Sequence, residues 1–370
     1  MSSPSDNHAN FTPFSESQGD FGHLRLAYFS NEFPHDNLQH LLRRLWNSSK
    51  DRAHPLLAIF IAEATLAVRE EIRDLPAVLR SEIPAFQTIF EFAEYPELRR
   101  GQLSGSIDGV LLSALELATF IGYYEHNPDK YGADVPSSYL AGLGIGLLAT
   151  AAVALSPNLV DLPIAAAEAV RTAFRLGVVV DQVSQNLQPR DLSDPSTPDS
   201  WAYVIPDVTP ERVQKELDSI HAKEKTPTAG KIFISALSKT SVTVSGPPGR
   251  LKRVFLISDF FRDAKSIALP VYGGLCHAPH IYHDGHAREV VRVSSSKLNH
   301  RRFTPVIPVL STSTGRPFPA PDAEGLLENI IKEILTQAIQ WDNVIQAVVA
   351  GASNLGAVQL QLQAVGTKLP

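Results

Sequence analysis

The sequence holds a single cysteine, Cys276, among its 370 residues. An internal disulfide framework is therefore excluded, and the chain suits a reducing compartment such as the cytoplasm. Positive charge is also scarce. Thirty-three Lys and Arg against 39 Asp and Glu leave a formal net charge of −6. No basic stripe interrupts the chain, so nucleic acid finds no electrostatic footprint. The opening, Met1-Ser-Ser-Pro-Ser-Asp, has neither a basic n-region nor an apolar h-region. It reads as a disordered leader over residues 1–22 rather than a signal peptide.

One stretch alone resembles a membrane span. Tyr139–Val160 carries no charge and contains Gly142-Leu-Gly-Ile-Gly146, with the small-residue spacing of packed transmembrane helices. Pro157 and Asn158 fall inside it, and its Ala-rich remainder is only weakly hydrophobic. A buried strand, a Gly-rich turn and a buried helix fit better, so the chain is expected to be soluble, with no membrane partner. No repeat of solenoid length is present.

What remains is a chain 44% hydrophobic and 19% charged, long enough for two lobes. Leu24–Ser30 reads as a strand. Leu38–Trp46, Pro55–Ile72 and Ile107–Tyr124 repeat apolar residues at helical spacing. Tyr139–Leu143 reads as a strand, Ile145–Leu155 as a helix, and Leu162 to about Val183 as a longer one. Gln188–Ser200 is a Pro-, Asp-, Ser- and Thr-rich linker.

Beyond the linker the elements follow a βαββαβ order. Ala202–Ile205 is a strand, and Thr209-Pro210 supplies the cap and first position of a helix. Lys231–Leu237 and Ser241–Ser245 form a strand pair, Gly246–Leu251 opens a second helix, and Ser266–Tyr272 closes the set. This is a ferredoxin-like small lobe over residues 200–272. The chain then returns through Phe303–Ser311, a helix from Asp322 to Ile339 and a terminal strand or two, with residues 361–370 starting a linker. The expected class is α/β: an α/β-hydrolase-like acyltransferase lobe (23–190 and 273–360) with an inserted ferredoxin-like lobe. That is the architecture of acyl-carrier-protein acyltransferases, although architecture alone does not fix function.

Two motifs bear on chemistry. A strand ending in G-x-Nuc-x-G and running into a helix is a nucleophile elbow, its flanking glycines required by the tight turn. Gly142-Leu-Gly-Ile-Gly146 has that frame with Gly144 at the centre, and the helix start at Ile145 offers backbone N–H groups to an oxyanion. Spacing alone favours a tight strand-to-helix turn that binds nothing. A dinucleotide loop fits less well, because no strand precedes Asp161 and Pro163 follows it.

The second motif is Val271-Tyr-Gly-Gly-Leu-Cys-His-Ala-Pro-His-Ile-Tyr282. An acyltransferase needs a general base here, and His277 is the candidate. His277, His280, His283 and His286 recur every third residue, which raises a metal site. Pro279 and Gly285 argue against the helix such a site would need, so no metal is expected and the last three are taken as loop or rim histidines. Cys276 is a rival nucleophile. In extended chain, neighbouring side chains point to opposite faces, so it should face away from His277 as a buried, inert thiol.

Together the pieces resemble fungal starter-unit acyl-carrier-protein transacylase domains along nearly all of residues 24–350. The carriers are Phe29-Ser-Asn-Glu-Phe-Pro34, Lys50-Asp-Arg-Ala-His-Pro-Leu-Leu57, Ser106-Ile-Asp-Gly-Val-Leu-Leu112, Ile121-Gly-Tyr-Tyr-Glu125, the elbow, Val244-Ser-Gly-Pro-Pro248 and Tyr272–Tyr282. The resemblance implies ping-pong transfer from acyl-CoA to an active-site cysteine, then to the phosphopantetheine arm of an acyl carrier protein, with no bound cofactor. It further implies ketosynthase and malonyl transferase domains in the same synthase.

By that resemblance His277 matches the catalytic histidine and Gly144 stands where the nucleophilic cysteine should be. Glu32 takes the place of a glutamine in the loop that helps bind the oxyanion, and a carboxylate cannot donate there. Leu176 takes the place of the arginine that malonyl-transferring relatives use, so with Tyr272 it implies a pocket for an uncharged acyl starter. Arg171 and Arg175 are then expected on a solvated helix face. Three readings follow: an active transacylase using Cys276 or direct His277-assisted transfer, a degenerate structural or carrier-docking domain, or a free-standing binding protein. An intact frame around a missing nucleophile favours the second for this chain's own chemistry.

Overall fold

The computed structural model describes residues 22–34, 37–132, 137–190, 199–271, 273–292 and 304–366. The leader, Phe303, Tyr272 and most of the Gln188–Ser200 linker lie outside those residues. The large lobe is built around β1 (His23–Phe29), followed by α1 (Leu38–Ser48), α2 (Pro55–Asp74), α3 (Ala77–Ser81) and α4 (Ser104–His126). Then come β2 (Ser138–Gly142), α5 (Gly146–Ala154) and α6 (Leu162–Leu187).

The small lobe holds β3 (Ala202–Pro206), α7 (Pro210–Glu224), β4 (Phe233–Leu237), β5 (Ser241–Ser245), α8 (Pro248–Ile257), α9 (Asp259–Asp263) and β6 (Ile267–Ala268). The chain returns through α10 (Asp284–Val291), β7 (Val309–Leu310), α11 (Ala323–Thr336), β8 (Ile339–Gln340), α12 (Trp341–Asn354) and β9 (Gln359–Val365).

The large-lobe sheet runs β7-β2-β1-β9 with parallel neighbours. Its inner strand β1 is covered on both faces, as parallel sheets require. Leu24, Leu26 and Tyr28 pack against Trp341, Val344 and Val348 of α12, while Ala27 and Phe29 join the main helical core on the other side. α4 lies in that core, with Val110, Leu111, Ala114, Leu117 and Ile121 fully buried. It is the one described helix long and apolar enough to cross a membrane, and burial inside the fold accounts for that composition.

The small-lobe sheet is ordered β6-β3-β5-β4 with antiparallel neighbours, which is the ferredoxin-like arrangement. α7 and α8 cover it through Val213, Leu217, Leu251 and Val254. Thr209 caps α7, its side chain accepting from the Arg212 N–H, with Pro210 at the first helical position.

Four sequence expectations need correction. β8 adds a fifth strand to the small-lobe sheet, parallel to β4, so that sheet is not confined to residues 200–272. The closing strand shrinks to Ile267–Ala268. Between the terminal strands, residues 341–354 form a helix that was not expected, because the β-branched and glycine residues of α12 weaken its intrinsic helix signal. Residues 361–365 are not linker. They belong to β9, which pairs with β1 from His23↔Gln359 to Phe29↔Val365. Its Gln-Leu-Gln-Leu-Gln pattern is mostly exposed, so composition gave little sign of a strand.

Candidate active site

β2 ends at Gly142 and α5 begins at Gly146, so the expected elbow is formed. Crowding fixes its flanking glycines. A Cβ on Gly142 would lie 2.5 Å from the Leu147 nitrogen, and one on Gly146 would lie 2.5 Å from the Ser30 carbonyl oxygen. The central Gly144 has φ +53, the left-handed region, which suits an elbow and costs glycine little. The turn is closed by Leu143 N–H donating to the Phe29 carbonyl at 3.0 Å and Gly146 N–H to the Leu143 carbonyl at 2.9 Å.

The Ile145 N–H, the amide an elbow turns toward an oxyanion, donates instead to Asn31 Oδ1 at 2.9 Å. Asn31 follows β1, one residue before Glu32. Glu32 is exposed, its backbone carbonyl accepting from Ser30 Oγ at 3.2 Å. The side chain bonded to the elbow amide is thus that of Asn31, the neighbour of Glu32.

His277 sits in the loop between β6 and α10 and is anchored on the C-terminal end of α11. Its backbone N–H donates to the Ile334 carbonyl at 2.9 Å, and Ala278 N–H donates to the Leu335 carbonyl at 2.7 Å. These are among the last carbonyls of α11, which lack partners within the helix. His277 Nδ1 lies 2.7 Å from the Gln337 carbonyl, an acceptor only, so Nδ1 carries the proton in the neutral ring. Burial holds its pKa below the ordinary value, against the backbone carbonyls that raise it. The imidazole is thus neutral at pH 7, as a general base must be. Its φ of +57 is an uncommon conformation for a non-glycine residue.

Cys276 packs against the main apolar core, and burial pushes its thiol up to about 12. Such a thiol stays protonated at neutral pH. The other three histidines have structural contacts. His280 meets the Phe233 ring edge-on at 4.8 Å, and His283 Nδ1 caps α10 by accepting from Gly285 N–H at 3.1 Å. His286 Nδ1 accepts from His283 N–H at 3.2 Å. Gly285 and His286 lie inside a helix, contrary to the expectation that this segment is non-helical. Among the described residues, no group of three or more His, Cys, Asp or Glu is placed to hold a metal.

On α6, Leu176 is buried in the main core. Arg171 and Arg175 depart from the expectation of a solvated face. Arg171 is 4% exposed and bonds Glu70 at 2.7 Å, Glu71 at 2.9 Å and Glu168 at 3.2 Å. Arg175 grips both carboxylate oxygens of Glu71 at 2.7 Å. Both arginines therefore bind α6 to α2. Helical spacing could not reveal this, since the partner glutamates lie about a hundred residues away.

Sequence reasoning also missed Glu116, a lone carboxyl in the apolar run of α4. It is fully buried and accepts from Ser30 N–H at 2.6 Å and Ser30 Oγ at 3.1 Å, fixing the end of β1 just before Asn31. Burial raises its pKa well above the ordinary carboxyl value, only partly offset by the Ser30 hydrogen bonds. A raised carboxyl contributes stability that is complete below its unfolded pKa and falls as pH rises toward its folded one. Glu116→Gln should accordingly flatten the decline of unfolding free energy above pH 5, by at most about 1.4 kcal/mol per pH unit. Urea melts from pH 5 to 8 measure this, and parallel profiles for the two proteins would refute it.

A parallel-sheet lobe with an elbow, a half-buried histidine anchored on α11 and an inserted ferredoxin-like lobe can now be set beside known proteins. Residues 35–275 match the family "Starter unit:ACP transacylase in aflatoxin biosynthesis". The chain belongs to that starter-unit transacylase family. It is 48% identical over 347 residues to the non-reducing polyketide synthase PKS8-1 of Pseudocercospora fijiensis, covering 94% of this chain and 20% of the relative. It is 44% identical over 345 residues to the atrochrysone carboxylic acid synthase of Passalora fulva, covering 93% and 19%. The chain thus spans about one fifth of the length of the curated relatives it matches.

Its fold is that of the malonyl CoA-acyl carrier protein transacylase from Burkholderia pseudomallei, with TM-score 0.57, 14% identity and coverage of 93% and 94%. The family relationship and the acyltransferase fold agree with what the motifs implied.

Proposed function

We propose that this chain is the starter-unit domain of a fungal non-reducing polyketide synthase in which covalent acyl transfer has lapsed. The domain persists as a structural or carrier-docking module. The observation that carries this is Gly144 at the centre of a well-formed elbow, since glycine has no atom that can be acylated. His277 retains the tautomer of a general base but has no thiol at that position to deprotonate. The core-packed Cys276 thiol, held near 12, does not supply a substitute.

In this reading the carrier protein, its phosphopantetheine arm and the ketosynthase and malonyl transferase domains are partners within the larger synthase. Another domain loads the starter. The pocket's relation to an uncharged acyl group rests on Leu176, and Tyr272, outside the described residues, is assigned to it by resemblance alone.

The test is intact-protein mass after incubation with acetyl-CoA or hexanoyl-CoA. The wild-type domain should gain no acyl group and should not charge a phosphopantetheinylated carrier protein at an enzyme-like rate. A wild-type adduct that disappears in Cys276→Ala would overturn the proposal and make Cys276 a relocated nucleophile.

A further inference from the structure

The elbow amide and the space beside Gly144 are both occupied by one side chain. Asn31 Oδ1 accepts the Ile145 N–H at 2.9 Å. A Cβ added at Gly144 would lie 2.6 Å from Asn31 Oδ1, 2.7 Å from its Cγ and 2.9 Å from its Nδ2. All three separations are well inside van der Waals contact. The preceding residue is pinned, because Ser30 is bonded through its N–H and Oγ to buried Glu116. Asn31 is thus held next to the position that lacks a side chain.

We infer that Asn31, itself exposed, is a plug at the mouth of the acyl site: its carboxamide oxygen takes the oxyanion amide, and its carboxamide fills the volume a nucleophile would need. The inference rests on the reading that the frame is otherwise sound. A carboxamide oxygen is a good stand-in for a thioester oxygen, being a neutral carbonyl aimed at a helix-start N–H. Any acyl carbonyl entering the elbow must first displace it. Gly144 and Asn31 are complementary, and restoring a nucleophile at position 144 does not by itself restore an open site.

The reaction that reads the plug is self-acylation of a thiol introduced at position 144. His277 Nε2 takes the thiol proton, the sulfur bonds the acyl carbon of acetyl-CoA, and the acyl–sulfur bond of CoA breaks. The departing CoA thiolate takes that proton from the imidazolium. The oxygen of the tetrahedral intermediate needs the Ile145 N–H, which is free only when Asn31 has moved.

The experiment uses Cys276→Ala as background, so that the introduced thiol is the only one. Gly144→Cys and Gly144→Cys/Asn31→Ala are compared for alkylation by iodoacetamide and for thioester formation with acetyl-CoA. Both rates should rise by about tenfold or more when Asn31 is removed, alkylation because the thiol becomes accessible and thioester formation also because the Ile145 N–H is freed for the oxyanion. Equal alkylation rates in the two proteins would overturn the plug. Faster alkylation with no thioester in either would leave the plug standing and defeat the sound-frame reading instead. In the native background, Asn31→Ala should also speed hydrogen exchange at the Ile145 amide by about tenfold, as expected when a protecting acceptor is lost. Unchanged exchange there would count against the plug even if the cysteine variants do not fold.

Discussion

Gly144→Cys combined with Asn31→Ala should convert a domain that accepts no acyl group into one that carries a thioester, raising self-acylation on the order of a thousandfold or more above the wild type, with Gly144→Cys alone slower because Asn31 still holds the Ile145 N–H. The elbow glycines, the α5 N-terminus and the His277 tautomer are already in place, so the substitution adds the missing bond-forming atom to an existing frame. The gain should carry a cost. At φ +53 a side chain is strained, by about 1–2 kcal/mol, so the variant should unfold at lower denaturant while reacting faster.

Its rate should also report the base. Because burial keeps His277 below its ordinary pKa, the rate should climb with pH only on the acid side and be flat with respect to the imidazole by pH 7. His277→Ala in the same background should remove that limb. Mass spectrometry after timed exposure to acetyl-CoA gives the result directly. A Gly144→Cys/Asn31→Ala protein that folds, alkylates readily and still takes up no acyl group would mean the frame itself has decayed.

The second large effect lies away from the elbow. Arg171→Met should destabilise the domain by about 3 kcal/mol or more, as removing one member of a buried ion cluster does. Arg171 bonds three carboxylates, from Glu70, Glu71 and Glu168, and its loss leaves Glu71 with Arg175 as its remaining arginine and Glu70 without this one. The side chain of Glu71 is only 10% exposed, so water compensates little. A solvated arginine on the same helix would change stability by no more than about 0.5 kcal/mol. Denaturant unfolding separates these outcomes, and a loss below about 1 kcal/mol would show that the cluster does not hold α2 to α6.

The elements whose signal is local were legible in the sequence. The Gly142–Gly146 turn, the Thr209 cap, the ferredoxin-like strand order and the buried α5 each follow from spacing, capping chemistry or an uncharged run, properties of consecutive residues. α12 and β9 were not, because each is stabilised by a partner distant in sequence: α12 by the Leu24, Leu26 and Tyr28 face of β1, and β9 by hydrogen bonds along β1. Exposed glutamines and β-branched helix residues carry little intrinsic preference for the state they adopt.

The same division runs through the site. That position 144 is a glycine at the centre of a strand-to-helix turn and that the chain belongs among starter-unit transacylases were determined by the sequence, since they depend on residue identity within short motifs. Only the tertiary structure decided that Asn31 rather than Glu32 holds the elbow amide, that Arg171 is a buried tie rather than a surface charge, and that Glu116 lies beneath Ser30. Each of these is a contact between segments roughly a hundred residues apart. The pairing of a hydrogen-bond donor with its acceptor across such a distance is set by packing, which no local pattern encodes.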